Sequence, residues 1–191
     1  EVTYVVPTGN FGDVLAGYYA KRLGLPVRRL VVASNANDVL TDFLTTGTYD
    51  KRRPFVKTIS PSMDILVSSN LERMLYFASD GDAELVSSLM ADLADKGAYT
   101  VPPALLARIQ ETFSCGRADD EMARETIRTT WGHCHKLIDP HTAVAKYVLD
   151  ALPQDGTIRV CLSTASPYKF PADVLGSLGV DASGMNGFAS M

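Results

Sequence analysis

Three apolar runs rich in β-branched residues, Val2 to Val6, Leu30 to Ala33 and Ile158 to Leu162, predict buried strands. Between them, apolar positions recur at helical spacing. Val14, Leu15, Tyr18, Tyr19 and Leu23 share one face of a helix over Asp13 to Leu23, which Gly24 and Pro26 stop. The chain then returns through Leu25 to Ala33 as a second strand, closing a βαβ unit. Asn37 or Asp38 caps a short helix through Leu44 that Gly47 closes, and Leu71, Met74, Leu75 and Phe77 mark another. Residues 82–132 read as almost wholly helical. Leu85, Leu89 and Leu93 repeat at four-residue spacing, Pro102 and Pro103 start a new helix, and Asp119-Asp120-Glu121 opens a further one. Asp139-Pro140-His141-Thr142 is a helix start, with aspartate as cap and proline at the first position, and Pro153 to Gly156 turns the chain into the third strand. This alternation predicts an α/β fold: a three-layer parallel sheet with flanking helices plus an inserted helical subdomain. The expected division is 1–80 and 135–178 for the α/β parts, 81–134 for the helical insertion and 179–191 for a flexible tail.

At the first strand-to-helix junction stands Gly9-Asn10-Phe11-Gly12. The unpaired N–H groups of a helix start, and the positive end of its dipole, make such a junction a seat for phosphate. Gly9 and Gly12 permit close backbone approach and unusual dihedrals, and Asn10 can turn its amide toward an anion. The same turn also serves as a plain capped connection. Neither Gly-x-Gly-x-x-Gly nor Gly-x-x-x-x-Gly-Lys-Ser/Thr is present, which disfavours an ordinary dinucleotide or nucleoside triphosphate site. The third strand ends in Ser163-Thr164-Ala165-Ser166-Pro167. These hydroxyls either bond to nearby backbone or offer a neutral partner to a heterocyclic ring nitrogen. Ligands of open parallel sheets bind at the carboxyl ends of the strands, so turn and hydroxyls are expected to face one cavity.

Composition narrows the picture. A chain of 191 residues with 46% hydrophobic and 21% charged residues fits one globular domain with a substantial core. Its net charge of −4 gives no reason for a nucleic-acid surface, and no apolar run reaches the length of a membrane span. Cys115, Cys134 and Cys161, an odd and widely spaced set, point to reduced thiols in the cytoplasm. Asp50-Lys51-Arg52-Arg53 reads as a solvated loop rather than a basic patch. His133, His135 and His141 lack the spacing of a metal site, Cys161 reads as an inert strand thiol, and no nucleophile elbow occurs. With Glu1 close before a strand and a glycine-containing end, the chain is expected to be a fragment of a longer protein.

Four segments in order now form a pattern: Pro7-Thr8-Gly9-Asn10-Phe11-Gly12-Asp13; Ser60-Pro61-Ser62-Met63-Asp64-Ile65 with Ser68-Ser69-Asn70-Leu71-Glu72-Arg73; Asp139-Pro140-His141-Thr142-Ala143-Val144; and Ser163 to Phe170. Together they resemble the threonine synthase family, from residue 4 to about residue 171. The resemblance implies part of the large domain of a fold type II pyridoxal 5′-phosphate enzyme that converts O-phospho-L-homoserine and water to L-threonine and phosphate. It implies that Gly9, Asn10, Phe11 and Gly12 hold the cofactor phosphate and that Thr164 meets the pyridine nitrogen. Ser166 and Tyr168 stand where the family pattern has histidine and alanine. The family's Schiff-base lysine lies in a Phe-Lys-Asp context in the amino-terminal half, and no lysine here has that context. The resemblance therefore implies a carboxyl-terminal share that is inactive alone and has the missing half as its partner. Other fold type II lyases such as serine or threonine deaminases usually carry a glycine-richer loop. A noncatalytic phosphate-binding relative is the remaining alternative.

Overall fold

A computed structural model of the protein describes residues 1–181. The expected tail at 179–191 lies outside the described residues from 182 onward. The elements of the main sheet are β1 (Val2–Pro7), β2 (Val27–Ser34), β5 (Phe113–Arg117) and β6 (Ile158–Cys161). They form a four-stranded sheet in the order β5-β2-β1-β6 with every neighbouring pair parallel. The helix α1 (Gly12–Arg22) joins β1 to β2, and α2 (Val39–Thr46) and α3 (Leu71–Ala78) follow.

Alternation along β2 builds three layers, because successive side chains of a strand point to opposite faces. Leu30 and Val32 enter a core with Val14 and Leu15 of α1 and with Leu40 and Phe43 of α2. Val31 and Ala33 enter the other core. There they meet α6 (Asp120–Cys134), α7 (Pro140–Ala151) and α8 (Pro171–Ser177) through Ile127, Val144, Val148 and Val174. Burial on both faces is why β1 and β2 read as apolar runs. The third run, expected to be buried, is not: β6 is an edge strand covered on fewer sides, with Ile158 68% and Val160 37% exposed.

The stretch expected to be almost wholly helical differs. Between α4 (Ala83–Lys96), α5 (Pro103–Thr112) and α6 it contains β4 (Ala98–Thr100) and β5. The first pairs antiparallel with β3 (Thr48–Asp50), and Tyr49 and Tyr99 stack with ring centroids 5.4 Å apart. The second extends the main sheet beside β2, so the 81–134 stretch is tied into the α/β core. Phe113-Ser114-Cys115-Gly116-Arg117 lacks the β-branched run that betrays a strand. Its glycine has a packing cause. A β-carbon at Gly116 would stand 2.7 Å from Val148 Cγ1, so α7 approaches β5 only because that atom is missing.

The charge run also departs from a simple solvated loop. Arg52 is exposed and pairs locally with Asp50. Arg53, by contrast, reaches Asp38 at 2.8 Å and Asp42 at 2.6 Å, pinning the 51–57 loop to the start of α2. Asp38 precedes α2 but its side chain makes no capping bond, since its carboxylate is taken by Arg53 and Arg117. Asn37 does not cap either. Its amide serves Val56 O at 2.8 Å and Asp64 Oδ1 at 3.0 Å.

A candidate phosphate seat at the carboxyl edge of the sheet

Chain order places β2 and β6 on opposite sides of β1, so the carboxyl end of β1 is where the winding reverses. Such a reversal leaves a crevice that loops do not fill. In it lies a half-open cavity of about 250 Å³ lined by the Thr8 to Val14 turn, Ser62, Met63, His141 and Thr164. The glycine turn and the strand-end hydroxyl therefore share one cavity.

The turn is built by an unexpected residue. Gly9 and Gly12 are not in the left-handed region; Phe11 is, at φ 63°. A left-handed conformation in a bulky residue costs about 1–3 kcal/mol and persists only when surroundings enforce it. Phe11 is fully buried, and its ring meets that of Phe113 on β5 at 5.6 Å. The core thus holds the seat open. The helix ladder begins with Leu15 N–H donating to Phe11 O at 3.0 Å. The amides of Gly12, Asp13 and Val14 precede that ladder and are the donors an anion would meet.

The glycines serve space. A β-carbon on Gly9 would come within 2.7 Å of Ser62 O and 3.2 Å of Met63 Cα, both backbone atoms. One on Gly12 would meet nothing closer than Asn70 Nδ2 at 3.8 Å, so its cost would fall on whatever occupies the cavity. Asn10 is exposed, and its carbonyl accepts from the Asn70 side chain at 2.8 Å. No lysine or arginine lines the cavity among the described residues.

Two polar networks position the walls. Asp64 accepts from Asn35 Nδ2 at 2.8 Å, Thr58 Oγ1 at 2.7 Å and Thr58 N–H at 2.9 Å, which folds the Ser60–Met63 turn against the sheet. Behind the other wall is Asp139, the cap of α7 and fully buried. Its Oδ1 accepts from His141 N–H and faces His141 Nδ1, each at 2.9 Å, and its Oδ2 accepts from the Thr142 hydroxyl. Burial works to raise the Asp139 pKa, but the hydrogen bonds from His141 and Thr142 outweigh it and hold the carboxyl below its ordinary value. On its far side, His141 Nε2 accepts from Ser62 N–H at 3.1 Å.

Aspartate as cap of α7 was foreseen; the role of His141 was not. Sequence placed it with His133 and His135 as a metal question, whereas those two are exposed at the end of α6 and His141 is buried beside the cavity. The usable signal was its place two residues after a helix-capping aspartate. Cys161 is half-buried, and burial pushes its thiol up to about 11, leaving it protonated and unreactive at neutral pH.

No family model matches the chain. It is 39% identical over 187 residues to threonine synthase of Saccharomyces cerevisiae, covering 89% of this chain and 36% of that relative. Its fold superposes on a pyridoxal-phosphate-bound threonine synthase crystal structure from Brucella melitensis with a TM-score of 0.91 and 42% identity, covering 94% of this chain and 38% of that one. Over nearly all of its length, the chain matches the threonine synthases. It is equally similar to threonine synthase-like 1 of Homo sapiens, at 41% identity over 179 residues, 93% of this chain and 24% of the relative. The chain thus spans between a quarter and two fifths of the length of these threonine synthase relatives.

Proposed function

We propose that the protein carrying this chain is a threonine synthase, converting O-phospho-L-homoserine and water to L-threonine and phosphate with pyridoxal 5′-phosphate as cofactor. The observation that carries the reading is the single cavity that joins the open amides after Gly9 to the Thr164 hydroxyl. A phosphorylated heterocycle needs both ends at once. The turn of Gly9, Asn10, Phe11 and Gly12 would hold its phosphate by presenting the backbone N–H groups at the start of α1, those of Gly12, Asp13 and Val14, with Gly12 leaving the space a side chain would fill. Thr164 would meet its ring nitrogen with a neutral hydroxyl, which does not enforce a protonated ring as a carboxylate would. The bound cofactor supplies the electron sink that lets phosphate leave the γ-carbon and water add at the β-carbon. These residues bind and orient; none of the chain's lysines lines the cavity. The attaching lysine therefore belongs, on this reading, to the remainder of the protein, and the chain alone is inactive. Three unpaired cysteines fit a cytoplasmic enzyme.

The reading is tested by the products of the intact protein. Threonine and inorganic phosphate should appear in equal amounts from O-phospho-L-homoserine; deamination of serine or threonine without that reaction would reject it in favour of another lyase. A noncatalytic phosphate-binding relative would keep the seat and form no product. The seat has its own check. Gly12→Leu should abolish pyridoxal-phosphate binding, followed by titration of cofactor absorbance. Folding stability should stay within about 0.5 kcal/mol, as expected for an exposed position without a clash. Unchanged affinity would remove the phosphate from this turn.

A further inference from the structure

We propose that His141 and Asp139 are positioning residues, a rigid strut that sets the Ser62 wall of the phosphate seat against the Thr164 wall. The proposal rests on the phosphate-seat reading above. His141 lines the cavity, which invites a role in proton transfer, but its geometry excludes one. Nδ1 faces Asp139 Oδ1 at 2.9 Å, and Nε2 already accepts from the Ser62 amide at 3.1 Å. An imidazole that accepts at Nε2 carries its proton at Nδ1, so the network assigns one neutral tautomer with both nitrogens engaged. The ring is 3% exposed and packs on Phe170 with centroids 4.8 Å apart, so it cannot swing to a ligand without breaking three contacts at once.

What the strut holds is the seat itself. Ser62 gives its N–H to His141 while its carbonyl oxygen fills the place where Gly9 would carry a β-carbon. The Ser62 peptide is therefore clamped between imidazole and glycine turn, and its position fixes the depth of the seat. On the other side of Asp139, the Thr142 hydroxyl bonds to Oδ2 and lies 3.2 Å from Ser163 Oγ, next to Thr164. One buried carboxylate thus references both walls of the cavity.

Two substitutions separate the ends of the strut. His141→Asn keeps a donor near the Nδ1 position and loses the acceptor for Ser62; His141→Gln keeps an acceptor near the Nε2 position and loses the donor to Asp139. In the intact protein, Ser62 amide hydrogen exchange is measured without ligand, and affinity is measured with inorganic phosphate. His141→Asn is expected to speed Ser62 exchange and weaken phosphate about tenfold, the worth of one lost hydrogen bond. His141→Gln, which keeps the Ser62 acceptor but loses the tie to Asp139, should change both in the same direction by less than His141→Asn does. Wild-type exchange and affinity in either variant, or equal losses in both, would overturn the proposal. Protection of Ser62 in a wild-type protein that binds no phosphate would uphold the strut and reject the seat.

Discussion

Asp139→Ala is expected to lower folding stability by about 3–5 kcal/mol, the range found when one partner of a buried charged network is removed. Asp139 has no exposure, and four donor atoms converge on it: the His141 and Thr142 amides, His141 Nδ1 and the Thr142 hydroxyl. Truncation strands them where water does not replace the carboxylate. It also uncaps α7, the helix that packs on both β1 and β2. Urea unfolding at neutral pH measures the loss; a change below about 1 kcal/mol would mean that Asp139 is not the hub its contacts describe. The pH dependence has a definite sign. A carboxyl held below its ordinary value in the folded state stabilises fully above the unfolded value of about 3.9, and that stabilisation is lost as pH falls through the lower folded value. The wild type should therefore lose more stability than Asp139→Ala on acidification below about pH 4. Parallel acid titrations of the two would reveal any failure of that difference.

Gly9→Val should damage both the fold and the seat, unlike Gly12→Leu, which damages only the seat. The added atoms at residue 9 meet the backbone of Ser62 and Met63, which cannot step aside as a side-chain tip does. Overpacking of this kind costs about 1–3 kcal/mol. The Ser60–Met63 turn cannot yield freely, because Asp64 ties it to Asn35 and Thr58 and His141 holds Ser62. Phosphate affinity should fall on the order of 100-fold as amides and wall separate, two or more hydrogen bonds being lost together. Calorimetry against phosphate, with thermal melts alongside, measures both. A variant that melts like wild type would show that Ser62 gives way and that the clamp is loose.

Much of this arrangement was legible because local chemistry and global fold agree. Apolar β-branched runs marked β1, β2 and β6, and Asp-Pro marked the start of α7. The shared cavity of turn and Thr164 followed from strand ends alone. What stayed hidden depends on long-range packing. β5 has the glycine that α7 requires rather than the residues a strand prefers. The strain at Phe11 is set by Phe113, about a hundred residues away in sequence, and no rule of local spacing carries that information. His141 looked like one of three scattered histidines because its two partners, a cap and a remote amide, meet it only after folding. Asp38 looked like a cap, and two arginines claimed it first.

On the phosphate-seat reading, a wall of amides with no cation among the described residues would behave unlike a lysine-lined one when salt is added. Binding through full positive charges weakens steeply with ionic strength, because ions screen the attraction over distances of about 10 Å. Here the attraction would come from oriented peptide dipoles at contact range, which mobile ions cannot enter. Among the described residues, the one carboxylate, lysine or arginine on the lining is Asp13, an acid. Screening it would remove repulsion rather than attraction, so this wall's contribution to affinity for a phosphorylated ligand should hold steady or rise with salt.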